Sequence, residues 1–279
     1  MKPQWLNKKI SLQGCSDMKR FLRGSGVETV CEQAMCPNIG ECFSRKQATF
    51  LILGKHCTRH CKFCNIDKGA PGAPDPQEPD KVAEAVKKLA LRHVVITSVT
   101  RDDLADGGAG MFAETVSSVR AKSADTVIEV LIPDFQFSLS SIQTVADSVP
   151  DIIAHNVETV PALYCAVRQG AEYQRSLKVL AAIKRISPGI KTKSGIMLGL
   201  GENKEDVLEV MRDLRGCDCD FLSIGQYLAP SGRHYPVKEY ITPEQFLEYK
   251  DEGRSLGFLH VESGPYVRSS YMAQDYLEA

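Results

Sequence analysis

What this chain has little of is net charge, long apolar runs and repetition. Its 34 lysines and arginines nearly cancel its 35 aspartates and glutamates, leaving a formal net charge of −1. It offers no one-signed field of the kind that draws a protein to nucleic acid or an anionic membrane, so neither is expected as a partner. No run approaches the roughly 18 apolar residues that a membrane-spanning helix needs. The opening MKPQWLNKKISLQGC is basic with no apolar core behind it. It also lacks the Arg- and Ser-rich bias of a transit peptide, so it reads as neither kind of targeting segment. A cytoplasmic location is the resulting expectation. No internal repeat and no low-complexity tail stands out.

What is present is an apolar fraction of 43% in 279 residues, enough for one large α/β domain or two smaller ones. Ten cysteines are also present, six of them between Cys31 and Cys64. In a chain without a secretory signal, thiols stay reduced. Their uneven placement then favours metal binding over disulfides.

After this cysteine-rich first quarter the chain alternates β-like and α-like segments. Apolar runs at 48–53, 93–98, 127–132, 152–157, 190–198 and 221–227 read as buried strands of a parallel sheet. Val207, Leu208, Met211 and Leu214 share one helical face before Gly216. Thr242-Pro243-Glu244-Gln245 opens another helix, which Gly257 ends before a last strand at 258–261. The Pro-rich stretch 70–79 reads as an extended connector. The α/β pattern predicts a partial (β/α)6 TIM-type barrel, with a doubly wound sheet as the alternative. The expected division is a cysteine-bearing N-terminal extension (1–46), the barrel (47–240) and a C-terminal extension (241–279).

Cys57-Thr-Arg-His-Cys61-Lys-Phe-Cys64 puts three thiols in eight residues, directly after a strand. Three thiolates from one loop can hold three irons of a cubane cluster and leave the fourth open to another ligand. A structural zinc site would close its shell with four ligands, for which His56 or His60 is available. Cys31-Glu-Gln-Ala-Met-Cys36-Pro-Asn-Ile-Gly-Glu-Cys42 is a second triplet. Five residues turn a helix by about 500°, so these cysteines cannot share one helical face. Pro37 and Gly40 argue for a wrapping loop.

The first triplet is similar to the signature of the radical S-adenosylmethionine (SAM) superfamily, and CEQAMCPNIGEC with Arg268-Ser269-Ser270-Tyr271 closely resembles the lipoyl synthase family. The resemblance runs from about Lys2 to Tyr271. It implies two [4Fe–4S] clusters. Cys57, Cys61 and Cys64 would hold the one that binds and cleaves SAM, and Cys31, Cys36, Cys42 and Ser270 the auxiliary one. It further implies sulfur insertion at C6 and C8 of an octanoyl chain on a carrier lysine, with two SAM molecules supplying radicals and the auxiliary cluster supplying sulfur. The expected partners are octanoylated carrier domains (dehydrogenase E2 subunits or the glycine cleavage H protein), a ferredoxin- or flavodoxin-type reductant and an iron–sulfur carrier protein.

Asn156 and Glu158 lie two apart at the end of the fourth strand, so they share one side. They could hold the ribose hydroxyls of SAM, or form a solvated strand end. The stretch Tyr173-Gln-Arg175-Ser-Leu resembles lipoyl and biotin synthases alike, which makes Arg175 the candidate clamp for the SAM carboxylate. Gly199 would let backbone approach SAM. Ser98 belongs to a stretch, Thr97 to Asp103, that the resemblance places along the site. Four positions depart from the family pattern: Phe43 for a usual tryptophan, Met111 and Met272 for histidines, and Gln169 for a common proline. Two rival readings remain: a non-catalytic iron–sulfur carrier or redox module, and a two-cluster sulfurtransferase acting on another substrate.

Overall fold

The apolar runs become strands covered on both faces, as parallel strands flanked by helices must be. The computed structural model describes residues 2–7 and 13–277. They divide into two units, one of 13–59 and 65–153, the other of 2–7, 60–64 and 154–277.

The first unit runs α1 (Gln13–Ser25), β1 (Glu28–Thr29), α2 (Val30–Gln33), α3 (Ile39–Ser44), β2 (Thr49–Ile52), α4 (Glu78–Leu89), β3 (His93–Ser98), α5 (Ala109–Lys122), β4 (Val127–Leu131) and α6 (Leu139–Asp147). Strand β5 (Ile152–Ala154) reaches its boundary. Strands β2, β3 and β4 are parallel, with Phe50 opposite Ile96 and Ile96 opposite Val130, and β1 is antiparallel to β2. Asp151 stitches the foot of this sheet, accepting from Ile128 N at 2.7 Å and Arg120 Nη2 at 2.8 Å.

The second unit continues with α7 (Tyr164–Val167), α8 (Tyr173–Ile186), β6 (Lys191–Leu198), α9 (Lys204–Gly216), β7 (Phe221–Gln226), α10 (Pro243–Ser255) and β8 (His260–Gly264). Strands β6, β7 and β8 are parallel, with Ile196 opposite Ile224 and Leu222 opposite Val261. Helix α9 begins at a capping box of Asn203 and Asp206, and α10 at one of Thr242 and Gln245 with Pro243 at its first position. The face of α9 that packs on Leu198, Leu222 and Ile224 is Val207, Val210, Met211 and Leu214, all fully buried. Each such side chain contributes about 2 kcal/mol. Leu208 is only half-buried, and Val210 takes its place.

Several local expectations shift. The auxiliary triplet is two short helices, α2 and α3, rather than a plain loop. The Thr29 hydroxyl caps the first by accepting from Glu32 N at 3.4 Å, and the left-handed Met35 (φ 52°) turns the chain before Pro37. Helix α4 starts at Glu78, inside the expected connector, because Pro79 suits a first helical turn. Strand β5 stops at Ala154, short of 157, and β8 begins at His260, later than 258.

The C-terminal tail crosses the second unit. The Val267 carbonyl lies where a Cβ on Gly225 would stand, near the end of β7. Tyr276 reaches the other end of that strand, with its ring 5.5 Å from Phe221 and 4.6 Å from His260 and the buried Lys193 Nζ 3.7 Å above it. Tyr276→Ala is expected to cost the metal-free protein about 3–5 kcal/mol, whereas Ala at the exposed Leu247 costs under about 0.5 kcal/mol. Denaturant unfolding of both variants checks this.

Candidate active site

The chain leaves β2 through a left-handed Leu53 (φ 68°) and Gly54 (φ 90°). The Leu53 peptide is held on both sides: its N–H donates to Glu78 Oε2 at 2.7 Å, and its carbonyl accepts from Arg101 Nη1 at 3.2 Å. Five residues on, Thr58 N donates to the Thr100 carbonyl at 3.1 Å, and the Thr58 hydroxyl accepts from Asp102 N at 3.2 Å. Arg59 forks onto Asp102 and Asp134, while its backbone N–H donates to Cys57 Sγ at 3.4 Å. The β2 exit and Cys57 are thus tied to the loops after β3 and β4.

In the second unit, Lys62 N donates to the Val167 carbonyl at 2.8 Å and its carbonyl accepts from Tyr235 N at 2.9 Å. Phe63 packs against the cluster of Val167, Leu200 and Tyr227. These contacts bring Cys61 close to Arg168, which no sequence motif had singled out. Its Nη1 lies 2.9 Å from the Tyr164 hydroxyl, 3.1 Å from Ser176 Oγ and 3.3 Å from the Val157 carbonyl. Burial would lower the Arg168 pKa, but Tyr164, Glu158 and Cys61 hold it above the ordinary guanidinium value. Burial pushes the Glu158 carboxyl up, against the pull of Arg168 and Asn156. Glu158 is also left-handed (φ 67°), the kind of backbone strain that gathers at functional sites.

Asn156 Nδ2 donates to Glu158 Oε1 at 3.1 Å and to Ser269 Oγ at 2.6 Å. Asn156 Oδ1 is buried without a partner, as is Ser98 Oγ. A buried acceptor left unpaired costs about 1–3 kcal/mol, so a hydroxyl-bearing ligand fits Asn156. Gly195 makes room for this amide, because a Cβ there would stand 3.0 Å from Asn156 Oδ1. Arg175, on the first turn of α8, donates to Glu172 Oε1 at 3.1 Å and the Gly170 carbonyl at 2.8 Å. Gly199 (φ 96°) is needed for protein packing, since a Cβ would strike the Gln226 amide and the Glu239 carbonyl.

Cys31, Cys36 and Cys42 lie in the first unit and converge. The Cys31 thiol is pushed up to about 12 by burial and by the neighbouring Cys36 and Cys42, so metal binding there must displace a proton. Two residues after Cys31 on α2, both polar atoms of the Gln33 side-chain amide are buried without a partner. A sequence cannot flag this, since glutamine is common on helices. Ser270 is half-buried in a turn that Tyr271 N closes onto the Arg268 carbonyl at 2.9 Å. Among the described residues, no three His, Cys, Asp or Glu side chains form a single-ion cage. A cubane binds each thiolate to a separate iron, so its ligands stand further apart than those of one ion. The two cysteine triplets fit such clusters.

Comparison with known proteins matches 51–214 to a family model described as the radical SAM superfamily. The chain is 56% identical to the lipoyl synthase of Geotalea daltonii, covering 99% of this chain and 93% of that protein. It is 57% identical to that of Geobacter metallireducens (99% and 97%) and 54% identical to that of Caldanaerobacter subterraneus subsp. tengcongensis (98% and 95%). Among solved structures, methylornithine synthase (PylB) matches with a TM-score of 0.52 at 16% identity, over 82% of this chain and 68% of that one. Streptococcus suis SuiB bound to precursor peptide SuiA matches with a TM-score of 0.61 at 12% identity, over 95% and 57%. At such identities these two speak for the fold alone, an α/β partial barrel. Arg168→Met is expected to weaken SAM binding roughly tenfold or more, and Arg175→Met to weaken it less; calorimetric titration of the cluster-loaded protein compares the two.

Proposed function

Because the chain belongs to the lipoyl synthase family within the radical SAM superfamily, it is a radical SAM sulfurtransferase, and from that premise we propose which residues and partners carry the reaction. The substrate is a lipoyl-carrier protein bearing an octanoyl-lysine. When bound, the two clusters and SAM supply the radicals that remove hydrogen at C6 and C8 and the two sulfur atoms that replace it. Cys57, Cys61 and Cys64 hold the first cluster. Cys31, Cys36, Cys42 and Ser270 hold the auxiliary one.

Asn156 and Glu158 orient the ribose of SAM, the first through its unpaired amide oxygen. Arg168 takes the SAM carboxylate; Arg175 is the alternative that the titration above decides. A guanidinium kept charged beside Cys61 gives an anionic group a counter-charge where water is scarce. Ser98 and Gly199 line the same cofactor. The observation that carries the reading is the approach of Cys36 and Cys42 to the buried Cys31 thiol, in addition to a separate cysteine triplet. A carrier needs one cluster and no SAM clamp. Reduction by a ferredoxin- or flavodoxin-type protein, cluster rebuilding by an iron–sulfur carrier protein and a cytoplasmic location belong to the same proposal. No helix among the described residues is long and apolar enough to cross a membrane.

The test is mass spectrometry of an octanoyl-lysyl carrier peptide after anaerobic incubation with reconstituted protein, SAM and a strong reductant. The peptide should gain two sulfurs and lose two hydrogens. In the variant with Cys31, Cys36 and Cys42 all changed to Ala, SAM cleavage should persist and thiolation should vanish. Full product from that variant overturns the sulfur-donor assignment.

A further inference from the structure

The loop that carries Cys57 holds a charge cluster that the reaction scheme does not use. The Arg59 side chain is 9% exposed and sits between Asp134, fully buried, and Asp102, 28% exposed. Its Nε and Nη2 bond both oxygens of Asp102 at 2.7 and 2.8 Å, and its Nη1 and Nη2 bond both oxygens of Asp134 at 3.0 and 2.6 Å. Burial would lower its pKa, but these carboxylates hold it well above the ordinary arginine value.

Such a cluster is poor value as a stabiliser. Taking three charges out of water costs several kcal/mol per ion, and apolar replacements are often neutral or better. The backbone beside it is costly too. Phe135, Gln136 and Phe137 follow Asp134 with φ of 45°, 49° and 63°, three successive non-glycine residues in the left-handed region. Strain of this kind persists only where the surroundings impose it. Here Phe135 is wedged edge-on against Phe112, with ring centroids 6.3 Å apart, and covers Gly107, where a Cβ would stand 2.8 Å from its ring. That wedge fixes Asp134, and Asp134 fixes Arg59. The Arg59 backbone N–H in turn points at Cys57 Sγ.

We infer that Arg59, Asp102 and Asp134 form a positioning clamp for the first cluster: the two-sided fork locks the Cys57–Arg59 segment in its cluster-ready shape before metal arrives and keeps one N–H···S bond on the Cys57 sulfur. The inference rests on the reading of Cys57, Cys61 and Cys64 as cluster ligands. Hydrogen bonds to ligand sulfurs stabilise the reduced cluster and raise its potential, so the clamp has a spectroscopic as well as a kinetic signature. Arginine is required rather than any cation, because lysine cannot bond two carboxylates through a planar fork.

The test uses the full chain with Cys31, Cys36 and Cys42 changed to Ala, so that one cluster is present. In that background Arg59→Lys keeps the charge and loses the fork. Asp102→Asn weakens only the more exposed arm. Anaerobic iron–sulfur loading should slow roughly tenfold in the first variant and less in the second. The Arg59→Lys cluster should titrate at a more negative potential, and melting of the metal-free proteins should stay near the parent's. If Arg59→Lys does not fold, slower loading of Asp102→Asn supports the clamp, and loading at the parent rate overturns it. Parent-like loading in both variants with an unchanged potential also overturns it, as does slowing that only tracks a loss of melting temperature. A background protein that takes up no cluster instead defeats the ligand reading itself.

Discussion

The cysteines proposed to hold the first cluster sit on a loop, and a loop has no ladder of hydrogen bonds to hold it still. Most of the unusual chemistry in this chain answers that constraint. Where β2 ends, the left-handed Leu53 has its N–H taken by Glu78 and its carbonyl by Arg101, so the turn is fixed from two sides. The next anchors are the Thr58 hydroxyl and the Arg59 fork. In the second unit the segment around Cys61 is held by backbone bonds from Lys62 to Val167 and Tyr235. The auxiliary cysteines use a third solution, two short helices separated by a left-handed methionine. That arrangement brings Cys36 and Cys42 near Cys31 although their spacing is wrong for one helix.

Two buried arginines show how charge is used once position is secured. Both resist deprotonation, Arg59 because two carboxylates grip it and Arg168 because Tyr164, Glu158 and Cys61 surround it. Arg59 is fully occupied by its acids and offers nothing to a ligand, so its role is mechanical. Arg168 bonds the neutral oxygens of Tyr164, Ser176 and Val157, with the Glu158 carboxyl nearby. A guanidinium in that state can take on an anionic ligand group without first giving up a strong ion pair.

Much of this was legible from the residues alone. The parallel strands followed from apolar runs, since helix-covered strands leave few alternatives, and the helix start at Thr242 followed from capping chemistry. The cysteine triplets stood out because thiol spacing is discrete. Arg168 did not stand out. Arg175 sits in a patterned stretch, whereas Arg168 precedes Gln169-Gly170 with nothing local to mark it, and only the tertiary approach of Cys61 makes it a rival for the same proposed role. Asp134 was equally silent, since an aspartate before two phenylalanines reads as a turn. The helices at Cys31 and Cys42 were missed because proline and glycine dominated the reading, while the Thr29 cap lay just outside the motif.

The tail carrying Ser270 shows the same constraint under a different demand. A serine ligand has to be placed accurately, yet it binds iron less firmly than a thiolate, so accuracy must come from the surrounding chain. Behind it, the tail runs the length of β7 and ends with Tyr276 buried among Phe221, His260 and Lys193. Beside it, Ser269 accepts from Asn156, the same amide whose oxygen is left for a ligand. One side chain therefore touches both the tail and the pocket read as the cofactor's. The left-handed Met272 (φ 52°) turns the chain between the Tyr276 anchor and the serines. Ser270 is thus held from two ends, which suits the weak iron ligand that the proposed auxiliary cluster would need.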